Sequence, residues 1–276
     1  MAGRVAVITG AASGIGRGLA EEGARQGLRL VLADIDEAAL RALAAQLQGQ
    51  GSEVLACVTD VADPEQVARL RDAAVARFAG VDLLFNNAGV MQTGYSWTID
   101  ARQWQRMLDI NLKGVINGIH AFMPLLLEQG RPAHVVNTAS LAGLVSSPLM
   151  APYNVTKQAV VALSETLHYE LEQLGAQVAV SVLCPGPVAS AIMASDAVAE
   201  GPAAALNALL DDSIRAGMAP RALAELVFQA VAEKRFWILP HKFFKPALEQ
   251  RLRSILDESN PRFVMADGQG DAHAAR

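Results

Sequence analysis

Tyr153 and Lys157 are the residues of this chain whose types and spacing most directly suggest chemistry, and Ser140 lies thirteen positions before the tyrosine. On a helix, positions i and i+4 share one face, so the phenol and the ammonium can lie over the same spot. A free tyrosine titrates near ~10, but a neighbouring cation favours the phenolate; a shift of about 3 units would correspond to roughly 4 kcal/mol. The spacing therefore predicts that Lys157 lowers the pKa of Tyr153, so that the phenol exchanges a proton with an alcohol or carbonyl near pH 7.

The elements around this pair decide whether it is a site or an ordinary surface pair. Short apolar runs alternate along the chain with longer Ala- and Leu-rich segments of helical spacing. The predicted strands are Val5–Thr9, Arg29–Ala33, Glu53–Thr59, Asp82–Asn86, His134–Ala139, Gln177–Leu183 and Phe236–Leu239, and the predicted helices include Glu37–Gln48, Pro64–Ala79, Ala101–Gln129 and Tyr153–Leu174. This alternation predicts an α/β fold in a single domain: a Rossmann-type, doubly wound, parallel seven-stranded sheet with helices on both faces. Ligands of such sheets bind outside the carboxyl ends of the strands.

A glycine-rich turn, Thr9–Gly16, follows the first predicted strand and leads into a helix. Its glycines allow a tight turn and a close approach of the backbone, and the helix N-terminus favours a pyrophosphate. Glycines also end strands for steric reasons alone. Here the turn joins a strand to a helix inside a βαβ unit, which is the context that indicates nucleotide binding.

Asp34 ends the second predicted strand and is followed by Ile35. A carboxylate at this place can accept hydrogen bonds from both ribose hydroxyls of NAD and would repel the 2′-phosphate of NADP. No Arg or Lys occupies the glycine turn before Gly16, which also favours NAD. Asp34 could instead cap the next helix, but Asp36 can take that role.

The third and fourth predicted strands also end in residues that suit a cofactor. Asp60 could accept from an adenine amino group, and Val61 would offer its backbone. The small residues of Asn87–Gly89 let a ligand lie against the backbone. Asn86 and Asn87 could equally hold neighbouring strand ends together, and for Asn86 we favour that structural role.

The ordered set of these motifs resembles the short-chain dehydrogenase/reductase family, in its single-domain NAD(P)-dependent branch. The resemblance covers roughly residues 4–240. It rests on Thr9-Gly10-x-x-x-Gly14-x-Gly16, Asn86-Asn87-Ala88-Gly89, Asn111, Ser140, Tyr153-x-x-x-Lys157 and Pro185-Gly186. Each motif is loose by itself, but their order along the chain is specific.

The resemblance implies a role for each matching position. Tyr153 would be the general acid/base, and Lys157 would lower its pKa and bind the nicotinamide ribose. Ser140 would hydrogen-bond the substrate oxygen, and Asn111 would hold a water that links Lys157 to solvent, although a packing role for Asn111 is an alternative. Ser190 stands where the family often has Thr, and it keeps a hydroxyl for the carboxamide. The implied cofactor-binding set is Gly10, Ser13, Gly14, Ile15, Gly16, Asp34, Asp60, Val61, Asn87, Ala88, Gly89, Thr138, Tyr153, Lys157, Pro185, Gly186, Val188 and Ser190.

The substrate region predicted by this resemblance is apolar. Family members build it from the segments after Ser140 and Pro185-Gly186 and from the C-terminal region, and a helical lid is expected at about residues 189–218. The predicted pocket residues are Leu141, Leu144, Met150, Ile192, Met193 and Trp237, with Phe243 and Phe244 as further candidates. We therefore expect a hydrophobic, bulky or aromatic secondary alcohol or its ketone, although many of these side chains could instead belong to the core.

Composition excludes several other classes of protein. The chain has 276 residues, 52% hydrophobic and 18% charged, which indicates a large buried core, and its net charge of −5 argues against nucleic acid or an anionic membrane as a partner. Cys57 and Cys184 lie in apolar runs typical of a reducing compartment, and no Cys/His cluster has metal-ligand spacing. We find no signal peptide and no apolar run of the ~20 residues needed to span a membrane, so we predict a cytoplasmic protein. Residues 1–259 are predicted to form the domain and 260–276 a flexible tail.

Several alternatives stay open on the sequence alone. The protein could be an NADP-dependent carbonyl reductase, an enzyme acting on C=C or C=N bonds, or a non-catalytic NAD-binding protein. An extended-type epimerase is disfavoured, because too few residues follow Leu239 for a second domain. Of the five histidines, His241 is the one we would test. A homotetramer or homodimer is expected through the helices that carry Asn111 and Tyr153.

Overall fold

A computed structural model describes residues 1–190, 192 and 202–263 of the chain. The strands within these residues are β1 (Val5–Thr9), β2 (Arg29–Asp34), β3 (Val54–Val58), β4 (Leu83–Asn86), β5 (Ala133–Thr138), β6 (Val178–Leu183) and β7 (Trp237–Ile238). They form one seven-stranded sheet in the order β3-β2-β1-β4-β5-β6-β7, and every pairing is parallel. The predicted doubly wound parallel sheet is confirmed. The strand order reverses between β1 and β4, so a crevice for a ligand opens there.

Helices cover both faces of this sheet. They are α1 (Gly14–Arg25), α2 (Glu37–Gly49), α3 (Pro64–Phe78), α4 (Ala101–Leu108), α5 (Gly114–Glu128), α6 (Ala151–Gln173), α7 (Pro202–Arg215), α8 (Pro220–Ala232) and α9 (Lys245–Leu256). Alternate residues of β1 belong to different cores: Ile8 packs in the cluster that contains Leu19 and Phe228, whereas Val7 packs in the cluster that contains Phe122. Burial on both faces explains why the strands read as continuous apolar runs.

The sequence predicted one helix over Ala101–Gln129, and the structure divides it. A π-helical turn, Asp109–Lys113, separates α4 from α5. Asn111 lies in this turn, and its side chain bonds the backbone of Val90 instead of facing solvent. Such π-turns accommodate an extra residue within a helix and are frequent at functional sites. The other differences are small: β2 continues to Asp34, whereas β3 and β7 are shorter than predicted.

The helical stretch Ala101–Glu128 is, among the described residues, the one long and apolar enough to cross a membrane by length and composition. This differs from the expectation that no apolar run reaches that length. In the fold, Phe122 and Leu126 of this stretch are buried against α3 and the sheet. A core helix of a soluble protein meets the same criterion.

The predicted lid and tail are described in part. Of the lid, residues 189–190 and 192 and the segment 202–218 are described, and α7 accounts for most of that segment. Of the tail, residues 260–263 are described and the remainder lies outside the described residues. Both cysteines are free thiols, as the sequence predicts.

His134 makes the stability of this fold depend on pH. The ring is buried, with Nε2 2.7 Å from Ser181 Oγ, and that hydroxyl donates to the Arg235 carbonyl, so Nε2 carries a proton and donates. Burial, followed by the charges of Arg4 and Lys234, lowers the pKa of His134 from 6.5 to about 4. Between these values the unfolded chain binds a proton that the folded chain does not bind. Acidification from pH 7.5 to pH 4.5 should therefore cost roughly 2–3 kcal/mol of stability through this residue.

We expect the substitution His134→Gln to remove this contribution, because the amide keeps a donor for Ser181 and does not titrate. Urea unfolding of both proteins at pH 7.5 and 4.5 measures it. The free energy of unfolding should fall more steeply in the parent protein than in the variant. Parallel pH dependences of the two proteins would contradict the assignment.

Candidate active site

A cavity of about 1220 Å³ lies at the carboxyl ends of the strands and brings most of the predicted site residues together. Tyr153, Lys157 and Ser140 border it. The predicted cofactor residues that also line it are Gly10, Ser13, Gly14, Ile15, Asp34, Asp60, Val61, Asn87, Ala88, Gly89, Thr138, Pro185, Gly186, Val188 and Ser190. Gly16 and Asn111 are not among the lining residues, so any role they have in the site is indirect.

The glycine turn is shaped by close contacts that no side chain would fit. Gly10 has a φ of +64°, and a Cβ there would lie 2.8 Å from Ala88 Cα. A Cβ on Gly16 would lie 2.0 Å from the Gly10 carbonyl oxygen. Gly16 therefore lets the first turn of α1 pack against the strand end, and Gly10 lets the end of β1 pack closely against the backbone of Ala88 beside the cavity.

Asp34 lies where the sequence predicts a ribose-binding carboxylate. Its Oδ2 accepts from Ala12 N at 2.9 Å and its Oδ1 from Asp36 N at 3.0 Å. Each carboxylate oxygen can accept two hydrogen bonds, so acceptor capacity remains on the cavity side. Asp36 caps α2 by accepting from Ala39 N, which leaves Asp34 outside the helix cap.

The segment that follows β3 is fixed by hydrogen bonds between side chains and backbone. Asp60 Oδ1 accepts from Ala62 N at 2.9 Å, and the carbonyl of Val61 accepts from Asn117 Nδ2 at 2.8 Å. The Val61 carbonyl is therefore already engaged within the protein. Both residues face the cavity from the β2–β3 half of the sheet.

Asn87 joins three strand ends as well as lining the cavity. Its Nδ2 donates to the Thr9 carbonyl at 3.0 Å, and its Oδ1 accepts from Thr138 Oγ1 at 3.3 Å. Asn86 donates to Asn137 Oδ1 at 2.9 Å, which agrees with the structural role favoured for it. These amides hold β1, β4 and β5 in register beside the site.

Tyr153, Lys157 and Ser140 meet at the end of β5. Tyr153 and Lys157 lie on the same face of α6, as the spacing predicts, and both are buried. Lys157 Nζ donates to the Thr138 carbonyl at 2.9 Å and lies 5.7 Å from the centroid of the Tyr153 ring. Ser140 Oγ accepts from Ala142 N at 3.2 Å, which fixes the hydroxyl at the cavity wall.

The pKa values of this pair differ from the expectation. Burial raises the pKa of the Tyr153 phenol, and the Ser140 hydroxyl opposes that change. Burial also lowers the pKa of Lys157 to about 8. The prediction that the Tyr153 phenol has a lowered pKa, near pH 7, is therefore wrong in its net direction, because desolvation of the phenol outweighs the effect of its neighbours.

Asn111 is fully buried and connects two segments of the site. Its Oδ1 accepts from Val90 N at 2.8 Å, and its Nδ2 donates to the Val90 carbonyl at 2.9 Å and to Thr156 Oγ1 at 3.3 Å. A Cβ on Gly89 would lie 3.3 Å from Asn111 Oδ1 and 3.4 Å from Lys157 Nζ. Asn111 thus holds the chain after β4 against α6 and lies close to the lysine, and a role in carrying protons stays a prediction.

The predicted substrate residues are confirmed only in part as lining the cavity. Leu141, Met150 and Ile192 line it, whereas Met193 lies outside the described residues. Leu144 is instead part of a core cluster with Phe244, and Trp237 stands on the edge strand β7 with its ring edge-on to Phe236, away from the cavity.

Other apolar side chains that the sequence reasoning missed complete this wall. Those from α7 are Leu206, Leu209, Leu210 and Ile214; Val145 and Ala247 come from two other segments, and Phe263 comes from the chain after α9. The α7 residues repeat at helical spacing, and this periodicity was a signal that could have found them. Phe263 lies far along the chain, and nothing in its local sequence distinguishes it.

Two side-chain contacts hold the walls of the substrate region in place. Thr93 Oγ1 donates to Asn207 Oδ1 at 2.5 Å, which ties α7 to the segment after β4. Arg251 on α9 donates to the Leu144 carbonyl at 3.1 Å and to Gln158 Oε1 at 3.4 Å. Helix α9 therefore packs beside the segment that carries Ser140, and its Ala247 lines the cavity.

A family model described as short chain dehydrogenase matches residues 4–200. The chain belongs to the short-chain dehydrogenase family. The fold of this short-chain dehydrogenase superposes with a TM-score of 0.93 on a short chain dehydrogenase/reductase from Burkholderia phymatum solved in complex with NAD. The two are 41% identical, and the match covers 96% of this chain and 98% of that one.

Curated relatives of this short-chain dehydrogenase are also named as dehydrogenases. It is 37% identical over 257 residues to 1-deoxy-11-beta-hydroxypentalenate dehydrogenase of Streptomyces exfoliatus, covering 92% of this chain and 88% of the relative. It is 33% identical over 269 residues to C alpha-dehydrogenase of Sphingobium sp., covering 94% and 87%. This short-chain dehydrogenase is therefore an oxidoreductase of a family that binds NAD or NADP.

Proposed function

We propose that the protein is an NAD-dependent dehydrogenase that interconverts a hydrophobic secondary alcohol and its ketone. The observation that carries the proposal is one continuous cavity. It joins the glycine turn and Asp34 to the Ser140 and Tyr153 hydroxyls, and then to an apolar wall. A nucleotide, a proton donor and an apolar substrate could all be held there together.

The cofactor proposed here is NAD rather than NADP. The glycine turn lines the cavity through Gly10, Ser13 and Gly14, and the Asp34 carboxylate keeps acceptor capacity. Ile35, next in the chain, is 70% exposed and offers no charge for a phosphate. The relative from Burkholderia phymatum was solved with NAD. When bound, NAD supplies the hydride acceptor of the reaction.

Tyr153 is proposed as the acid/base. In the direction of oxidation, its phenolate oxygen accepts the hydroxyl proton of the substrate as the carbinol carbon loses its hydride, and the C=O bond forms. Ser140 donates a hydrogen bond to the same substrate oxygen. The Lys157 ammonium stabilises the phenolate by its charge and binds a ribose hydroxyl, while Asn111 supports a water that exchanges the proton with solvent.

The substrate is proposed to be bulky and uncharged at its reactive end. The cavity walls from α7 and from the C-terminal segment carry leucine, isoleucine and phenylalanine side chains, with Ser213 as the polar residue among them. The charged lining residues Arg102, Arg106 and Asp109 belong to a different wall, formed by α4 and the π-helical turn after it. One relative, from Streptomyces exfoliatus, is named as a dehydrogenase of 1-deoxy-11-beta-hydroxypentalenate. The abundance of oxidised NAD in cells favours oxidation as the direction. A cytoplasmic homotetramer or homodimer, associating through α5 and α6, completes the proposal.

The test is NADH formation at alkaline pH across a panel of secondary alcohols, run in parallel with NAD and NADP. We expect kcat/KM with NAD on aryl or long-chain alcohols to exceed that on small charged hydroxy acids by about a hundredfold or more, since an apolar wall stabilises apolar groups. Turnover confined to small charged hydroxy acids would contradict the proposed substrate class. If no alcohol of the panel is oxidised although the protein binds NADH, a non-catalytic binding protein or an enzyme that acts on C=C or C=N bonds would be favoured.

A further inference from the structure

The turn formed by Pro185 and Gly186, which follows β6 and borders the cavity, is held by hydrogen bonds on two sides. On one side, Leu141 N donates to the Pro185 carbonyl at 2.9 Å. On the other, Gly186 N donates to His241 Nδ1 at 3.0 Å. The first bond comes from the segment that carries Ser140, and the second comes from the chain just after β7. The position of the turn therefore depends on both neighbours.

His241 is built into this contact rather than resting on the surface. His241 is 9% exposed. A Cβ on Gly186 would lie 3.1 Å from His241 Cγ, so the imidazole packs directly against the glycine backbone. The edge of the ring meets Phe243, with 5.8 Å between ring centroids, and Phe243 lines the cavity.

The hydrogen bond also defines the state of the imidazole. A backbone N–H is always a donor, so Nδ1 must accept, and a neutral ring then carries its proton on Nε2. The bond needs an acceptor at the place of Nδ1, which an asparagine amide oxygen can supply. A phenylalanine ring fills the same space without any acceptor.

The order of the strands separates the two ends of a bound dinucleotide. Asp34 and Asp60 follow β2 and β3 at one edge of the sheet, whereas Ser140, Gly186 and His241 follow β5, β6 and β7 at the other. The groups proposed for chemistry lie in this second half. The end of a dinucleotide that the Gly186 turn holds is therefore the reacting end. The adenosine end lies on the other side of the place, between β1 and β4, where the strand order reverses.

We propose that His241 is a positioning residue that holds the Gly186 turn in the place that receives the nicotinamide end of the cofactor. The inference rests on the proposed function, which supplies the bound NAD, and on the strand order, which places the reacting end of NAD at the turn. His241 acts through the Gly186 N–H and needs no contact with substrate. Loss of its acceptor lets the turn move and weakens binding of the nicotinamide end, without changing binding of the adenosine end.

The experiment compares NADH with ADP-ribose, which lacks the nicotinamide, by calorimetry on the full chain. For His241→Phe we expect NADH to bind about tenfold more weakly while ADP-ribose binds within about twofold of the parent protein. His241→Asn should restore most of the NADH affinity. His241→Gln, whose amide oxygen lies further from the backbone, should not. His120→Phe, an exposed histidine on α5, is the matched control.

The outcomes separate this inference from the proposed function. Unchanged NADH affinity in both His241→Phe and His241→Gln would overturn the positioning role, and so would equal losses for NADH and ADP-ribose, which indicate general disruption. If the His241→Phe variant does not fold, the NADH affinities of His241→Asn and His241→Gln decide: equal affinities would overturn the positioning role, and a selective loss in His241→Gln would support it. A selective loss of NADH binding in a protein that oxidises no alcohol would support the role of His241 while the proposed activity fails.

Discussion

Replacing Tyr153 by phenylalanine is expected to lower kcat by about 10²–10⁴-fold, the range typical of a positioned general acid/base. The phenylalanine ring keeps the packing against Met91, Met107 and Met150, so the fold around the site should be preserved. The dissociation constant of NADH should stay within about twofold, because binding and proton transfer are separate roles. Steady-state turnover together with NADH titration measures both quantities.

Tyr169→Phe is the matched control for this substitution. Tyr169 lies on the same helix, α6, but is 55% exposed and does not line the cavity. The same loss of one hydroxyl there should leave kcat unchanged. A Tyr153→Phe enzyme that keeps more than about a tenth of its turnover would show that another group transfers the proton.

The pairing of Tyr153 with Lys157 shows how far spacing alone can predict a site. The i, i+4 rule placed both side chains correctly on one face of α6, because helix geometry is local. It gave the wrong direction for the tyrosine pKa, because burial depends on segments distant in sequence. The phenol is enclosed by side chains from the β4–α4 region and from the chain before α6.

The fold was predictable because its signals repeat along the chain. Continuous apolar strands, the glycine turn Thr9–Gly16 and helical spacing each follow from local chemistry, and together they imply the parallel sheet that the structure shows. The π-turn at Asn111 was not predictable in the same way. It depends on hydrogen bonds between that side chain and the backbone of Val90, which is distant along the chain.

The substrate region was predicted least well, and the errors have one cause. Leu144 was selected because it follows Ser140 along the chain and Trp237 because it lies in the C-terminal region, but position in the sequence does not decide which way a side chain faces. Leu144 turns into the core and Trp237 lies at the sheet edge. Phe263 reaches the cavity after the whole of α9, a relation that only the tertiary fold creates. Predictions for this region therefore need the packing of α7 and α9.

Removing the charge of Asp34 is expected to change the cofactor preference. In Asp34→Asn the side chain loses its charge but keeps an acceptor oxygen for one of its two backbone partners, Ala12 N and Asp36 N. In Asp34→Ala the side chain loses the charge and every acceptor. Hydrogen bonds to a charged group contribute about 1.5–3 kcal/mol, and repulsion of a phosphate adds to the discrimination. The ratio of kcat/KM for NAD to that for NADP should therefore fall by about ten- to a hundredfold in either variant.

Asp36→Asn makes the same change of charge two residues further along, at the cap of α2. That carboxylate is exposed and is not a cavity-lining residue, so its loss should leave the ratio within about twofold if recognition is local. Equal effects at both positions would mean that the general negative field excludes NADP. An unchanged ratio in the Asp34 variants would mean that the ribose is recognised elsewhere. The discrimination is assigned to Asp34 because its carboxylate lies at the cavity wall, at the end of β2, with acceptor capacity that the protein does not use.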